Sequence, residues 1–205
     1  MAETAGTLRA AVQRRVRDIN ATYHANAFVL DMLSRVQRLI NVGSQTILAS
    51  STLTTAANQL IYTINSDVNA AAIDVMRVTS NNEDLAKLTL SELNQIDRQW
   101  FRKVGTRFEA WVQLGRTLLV LYPSMSVADS VSVTYSKLTT DLGADGTALE
   151  FSEEANLMVM NLTEAILLLR QRDMSRAITP INQFVEQFKL DSKGTDLRHV
   201  EIEND

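Results

Sequence analysis

The chain contains no cysteine. Disulfide frameworks, cysteine-ligated zinc, iron–sulfur clusters and thiol nucleophiles are therefore excluded. Its two histidines, His24 and His199, stand too far apart in sequence to suggest a histidine-rich metal site or a Ser-His-Asp triad. Only two prolines and seven glycines occur in 205 residues, which predicts long regular elements and few tight loops. Long hydrophobic runs are lacking too. The longest, Leu118-Leu119-Val120-Leu121-Tyr122, falls far short of the roughly 20 residues that cross a bilayer. No basic segment leads into an apolar run after Met1, so no secretion signal is expected and the chain should be made and kept in a cytoplasm. Positive charge is not in excess either: the net charge is −4 and the isoelectric point is near 5.3, against bulk binding to nucleic acid or anionic lipid.

What is present is an ordinary globular balance, 45% hydrophobic and 21% charged, which sets the chain apart from disordered sequences. Domains run at about 100–200 residues, so a single domain with an insertion is expected. A chain of this size buries about 70% of its unfolded surface and needs no metal or disulfide to fold.

The hydrophobic period divides the sequence into three blocks. Leu8, Val12, Val16 and Ile19 recur at helical spacing, and Val29, Met32, Leu33, Val36, Leu39 and Ile40 form a second stripe. Gly43 offers a break, although helix could persist to about Ala49. From residue 52 the period is two. Leu60, Tyr62 and Ile64 alternate with Ile61 and Thr63, as do Ile73, Val75 and Arg77 with Asp74, Met76 and Val78. Val131, Val133 and Tyr135 alternate with Ser132, Thr134 and Ser136, a strand with one wet face. Phe108 to Pro123 reads as a hairpin broken at Gly115-Arg116. Thr89 and Glu92 have capping-box spacing ahead of a short helix.

The third block is helical again. Ser152 ahead of Glu153 and Glu154 marks an N-terminus, with Ala155, Val159, Leu162, Ile166 and Leu169 as its apolar face and Arg170 and Arg172 at its negative end. Ile178, Ile181, Val185 and Phe188 define a last helix that should begin or kink at Pro180. Gly194 should end the regular structure. The expected fold is α+β: an amphipathic helix bundle, two helices from each end of the chain, with a central strand-rich insert. Residues 1–50 would be helical, 51–142 the insert, 150–190 helical, all one domain, and 191–205 an extended C-terminal tail.

Few motifs suggest chemistry. Asp141 to Gly146 resembles the start of a calcium loop, but Gly143 stands at position three and Ser152 at position twelve, so a polar turn is the better reading. Arg98, Arg102, Lys103 and Arg107 bracket Trp100 and Phe101, a pattern that can bind single strands or simply anchor a solvated loop. Asn20-Ala21-Thr22 and Asn161-Leu162-Thr163 match the glycosylation pattern, which has no meaning in a cytoplasm. No phosphate loop, nucleophile elbow or acid pair is present. No catalytic residue, metal or cofactor is expected.

Charge is unevenly placed. Residues 1–50 carry six arginines, among them Arg14, Arg15 and Arg17, against Glu3, Asp18 and Asp31. Residues 191–205 carry Asp191, Asp196, Glu201, Glu203 and Asp205 against Lys193 and Arg198. Within that tail Leu197, Val200 and Ile202 are apolar with nothing near in sequence to pack on, which points to docking on another chain.

A series of weak signposts also occurs in order. They are Ile73-Asp74-Val75-Met76-Arg77-Val78, Leu88-Thr89-Leu90-Ser91-Glu92-Leu93, Asp97, Trp100 and Gly105-Thr106. Leu121-Tyr122-Pro123, Val131 to Tyr135, Leu142 with Asp145, and Phe151-Ser152-Glu153-Glu154 follow. This order, over about residues 28–190, resembles the head-to-tail adaptor (connector) proteins of tailed bacteriophages. Arg107 and the Asp67-Val68 step stand where that family often has proline. The resemblance implies a structural virion protein of the neck, assembled in the host cytoplasm. It implies a ring, twelve-fold in the family, beneath the portal protein and joined to a tail or nozzle protein. Genomic DNA would pass through its lumen without sequence-specific binding, and no membrane is involved.

The expected partner interface is Leu197, Arg198, His199, Val200 and Ile202, with Arg14, Arg15 and Arg17 of the first helix. Rival readings are another neck component, such as a tail-completion or stopper protein, and a DNA-binding regulatory module using the basic first helix. An enzyme is disfavoured because no nucleophile–base pair can be named.

Overall fold

The computed structural model describes residues 4–200, with side chains for all of these except 153, 154 and 190–200. The chain divides into two compact units, residues 1–47 with 139–205, and residues 48–138. In chain order the helices are α1 (Ala5–Arg15), α2 (Asn26–Ser44), α3 (Leu90–Ile96), α4 (Glu153–Arg170) and α5 (Met174–Val200), of which α3 lies in the second unit. The class is α+β, as expected.

In the helical unit Thr4 caps α1 in a capping box with Thr7. Leu8, Val12 and Val16 are buried as expected, but Ile19 is not. The helix stops at Arg15 and Arg17 takes a left-handed φ of 61°, which turns the chain before Ile19 can reach the core. On α2 the core face is Val29, Leu33, Val36 and Ile40, and Leu39 is exposed. Positions 29, 33, 36 and 40 follow the helical period, whereas 39 lies off its axis. Helix α2 ends at Ser44, with Gln45 left-handed at φ 52°, so it neither breaks at Gly43 nor reaches Ala49. Gly43 instead permits close packing: a Cβ there would lie 3.0 Å from Phe188 Cζ of α5.

Ser152 caps α4, its hydroxyl accepting from the Ala155 N–H. The expected face of α4 is only partly right. Ala155 and Val159 are buried, Leu162 and Ile166 half-buried, and Leu169 exposed, while Met158, Ala165, Leu167 and Leu168 fill the core. The reason is that α4 packs against α1, α2 and α5, so burial wraps around it. Helix α5 begins before Pro180, at Met174. Its inward face is Ala177, Ile181, Phe184 and Phe188, leaving Ile178 and Val185 exposed. The stripe is set by Ala177, small enough to sit fully buried against the bundle. Helix also continues past Gly194 to Val200, so the expected stop and the extended start of the tail are replaced by helix.

The strand unit contains β1 (Leu48–Thr54), β2 (Ile61–Thr63), β3 (Ala72–Ser80), β4 (Glu83–Asp84), β5 (Ala86–Lys87), β6 (Val104–Gly105), β7 (Ala110–Leu114), β8 (Leu118–Tyr122), β9 (Ser124–Met125) and β10 (Ser130–Lys137). One sheet has the order β1-β10-β3-β4, a second β2-β8-β7-β5, and β6 pairs with β9. Their apolar faces enclose a core that includes Leu53, Val75, Val78, Trp111, Leu119, Leu121, Val131, Val133 and Tyr135. The hairpin is β7 and β8, in register from Ala110↔Tyr122 to Leu114↔Leu118, with Gly115 at φ 62° in its turn. Strand β10 has only part of the wet face its alternation predicts: Ser132 is exposed and Thr134 half-buried, but Ser136 is fully buried, because the register shifts against β3 after Thr134.

Strand β3 departs from strict alternation. Thr134 pairs with Arg77 and Tyr135 with Val75, so Met76 is bulged out and Val75 and Val78 both face inward. Helix α3 carries the Thr89–Glu92 capping box as expected.

Candidate partner-binding surface

Ten residues join α1 to α2, and a single carboxylate organises them. Asp18 is buried, and its carboxylate accepts the backbone N–H groups of Thr22 (2.7 Å), Tyr23 (3.0 Å) and His24 (2.7 Å). Burial alone would raise its pKa, but the N–H bonds from Tyr23, His24 and Thr22, with His24 adding a smaller favourable field, outweigh burial and hold the carboxyl below its usual value. The loop is thus pulled inward at its centre and pushes two large side chains out: Ile19 is 70% exposed and Tyr23 75%.

The α4–α5 turn lies beside this loop. Gln171 Nε2 and His24 Nε2 are 3.2 Å apart, and the Arg170 guanidinium sits 4.2 Å from the centre of the Phe28 ring. Arg176 donates to the Arg15 carbonyl at 2.9 Å and also pairs with Asp173. The turn adds Met174, 66% exposed, and Ile178, 57% exposed. One end of the bundle therefore presents four large apolar side chains on a braced backbone. Arg17 and Arg172 are exposed in the same two turns. Tyrosine, methionine and arginine are the side chains enriched where proteins dock.

The expected site residues divide. Arg14 is exposed and its Nε returns to the Ala10 carbonyl. Arg15 reaches Asn161 (2.9 Å) and Glu164 (3.3 Å) on α4, so its guanidinium braces the bundle. Arg17 is exposed in the turn. The side chains of Leu197, Arg198, His199 and Val200, and all of Ile202, lie outside the described residues. Sequence reasoning missed Tyr23, Met174 and the outward role of Ile19, because helical periodicity assigns any apolar residue to the core. The turn-forming string Asp18-Ile19-Asn20-Ala21 is the available signal for the loop.

The other loops are tied internally. Asp145 takes Arg9 through both oxygens (2.9 and 2.8 Å) and Asp141 takes Arg38, so both carboxylates anchor helices, in keeping with a polar turn. In the strand unit Trp100 is half-buried and donates to Asn94 at 2.9 Å, while Phe101 is exposed beside Arg102. Arg98, Arg102, Lys103 and Arg107 are exposed residues, with Lys103 Nζ bonded to the Tyr122 hydroxyl at 2.9 Å. No group of three or more acidic, histidine or cysteine side chains suited to a metal occurs among the described residues. No helix among them is long and apolar enough to cross a membrane.

A family model for the SU10 adaptor protein matches residues 3–177. The chain belongs to that family. This is a phage head-to-tail adaptor family, a family of structural proteins. The match covers the strand unit, α1, α2 and α4, and ends at Ala177 within α5. No curated protein matches the chain.

Proposed function

We propose that this adaptor forms a ring in the neck of a tailed phage, docks beneath the portal protein, continues the DNA channel and offers a platform for the tail. The observation that carries the reading is the family match over residues 3–177, joined to a braced bundle end that exposes Ile19, Tyr23, Met174 and Ile178. The work is geometric. Each subunit presents fixed surfaces to its neighbours, to the portal and to a tail component, and no bond is made or broken.

A net charge of −4 suits a lumen through which a polyanion must slide, because like charges resist adhesion. Portal contact is assigned to Leu197, Arg198, His199, Val200 and Ile202, supported by Arg14 and Arg17 at the bundle end. Burial of each large apolar side chain contributes about 1.5–3 kcal/mol, and a ring engages many such contacts at once.

Mixing the full chain with purified portal rings and imaging the complexes tests this. Intact protein should cap the portal, and deletion of residues 195–205 should leave a folded protein that no longer joins. Equal capping by the truncated chain would remove the tail from the contact. Failure of the intact chain to bind any portal would count against the neck assignment.

A further inference from the structure

Between Arg38 and Asp67 the sequence contains no charged residue, in a chain that is 21% charged. This stretch supplies β1 and β2, and each lies at the edge of its sheet. The two edges occupy one side of the sandwich: the π-helical turn Ile64–Val68 that follows β2 reaches β1, where Ser51 Oγ donates to the Val68 carbonyl at 3.1 Å. On the opposite side run β4 and β5, consecutive in the chain, each two residues long and carrying Glu83, Asp84 and Lys87. Short length and charge are the usual protection of a sheet edge. One side of the sandwich is guarded and the other is not.

The two unguarded edges differ in turn. On β2 the backbone of Ile61 and Thr63 points away from β8, and side chains close it: Gln59 Nε2 donates to the Ile61 carbonyl (2.9 Å) and Asp67 accepts the Thr63 N–H (2.6 Å). Strand β1 has no such closure. Thr55 N–H bonds the Asp129 carbonyl at 2.8 Å, and the antiparallel register runs unbroken to Leu48↔Ser136. Odd residues of β1 therefore bond to β10, and Ser50, Thr52 and Thr54 turn their backbone N–H and C=O groups outward. Seven residues without proline, charge or bulge form an open edge, with Leu48 exposed at its start.

We infer that the outer edge of β1 accepts an extended segment of a second copy of this chain, adding a strand to its sheet. The occupant follows from charge. Two copies of a chain with net charge −4 repel, and the charge-free edge is where they can approach without setting like charges together. Pairing there satisfies the outward groups, and where the neighbour supplies a segment other than its own β1 the contact is head-to-tail. Such a head-to-tail contact closes into a ring when its rotation allows. The inference rests on the ring proposed above and names one of its contacts.

The test uses the full chain. Thr52→Pro removes an outward N–H while leaving the ladder to β10 intact, since Thr52 does not bond inward. Thr52→Glu keeps the backbone and adds a charge. Both should retain the wild-type thermal melting curve and sediment as monomers where the wild type sediments as oligomers. In the wild-type oligomer the amides of Ser50, Thr52 and Thr54 should exchange at least tenfold more slowly than in dilute monomer. Wild-type-like oligomers of a folded Thr52→Glu chain, or equal exchange in both states, would overturn the edge contact and leave the ring standing. Protection that appears only when portal is added would overturn the second copy as occupant. A wild type that stays monomeric at high concentration would overturn edge and ring together.

Discussion

The two units are held together differently. In the helical unit charged groups fasten the loops: Arg9 to Asp145, Arg38 to Asp141, Arg15 to Glu164, Arg176 to the Arg15 carbonyl, and Asp18 to three backbone N–H groups. In the strand unit the sheets pack through their apolar faces, and the charged groups act mostly within short local turns: Asp67 accepts the Thr63 N–H, Asp97 accepts the Gln99 N–H, and Arg77–Asp84 is an exposed ion pair. Helices leave four N–H groups free at the N-terminus and four carbonyls at the C-terminus, and their loops need polar anchors. Sheets satisfy their backbone laterally, so an antiparallel sandwich can leave charge off an edge. The buried Asp18 is the acid-sensitive anchor of the helical unit, whereas Glu92, which the Thr89 N–H and hydroxyl also hold below its usual carboxyl range, is an exposed one in the strand unit.

The largest expected effect is in the helical core. Leu167 is fully buried on α4, and Leu167→Ala should cost about 2–5 kcal/mol, read by urea unfolding. Leu162→Ala, at a half-buried position, should cost clearly less. Equal losses would mean that the burial around α4 is misassigned.

Asp18→Ala comes next, at about 2–3 kcal/mol, because three backbone N–H groups lose a charged acceptor. Its pKa is depressed in the fold, so the carboxylate's contribution is present above the unfolded value, near 3.8, and is lost as pH falls through the folded value. Wild-type stability should therefore decline below about pH 4 more steeply than that of Asp18→Asn. Parallel pH profiles would remove Asp18 from the acid response.

Gly105→Ala probes the strand unit. A Cβ there would lie 2.3 Å from Pro123 Cγ, so β6 or β9 must shift, at a cost of about 1–3 kcal/mol with no pH dependence. The smallest effect belongs to Arg35→Ala, which breaks an exposed pair with Asp31 four residues away and should change stability by under about 0.5 kcal/mol.

Much of this fold was legible from hydrophobic period. The bundle, the Gly115 hairpin and the α3 capping box all follow from local spacing, and the wet face of β10 does so at Ser132 but not at the buried Ser136. The errors have common physical causes. Spacing alone placed Ile19, Leu39, Ile178 and Val185 inside, yet each is exposed: the chain turns at Arg17, position 39 lies off the axis of the α2 core face, and the buried Ala177 sets which side of α5 faces inward. The bulge at Met76 shifts a strand's phase with no residue type to announce it. Strand β1, rich in serine and threonine, carries too little apolar alternation to be seen before residue 52. Of the candidate surface, Arg14, Arg15 and Arg17 drew attention by charge, and Arg15 also pairs with Glu164 of α4; for the exposed apolar cluster around Tyr23 the only signal was the turn-forming string Asp18 to Ala21.

The proposed ring in the virion neck is the feature on which the adaptor's geometric role depends. Cryo-electron microscopy of the purified full-length chain at high concentration tests it most directly. The account predicts class averages of closed rings of one subunit number with an open axial channel. A uniform field of monomers, or open filaments without a channel, would contradict it.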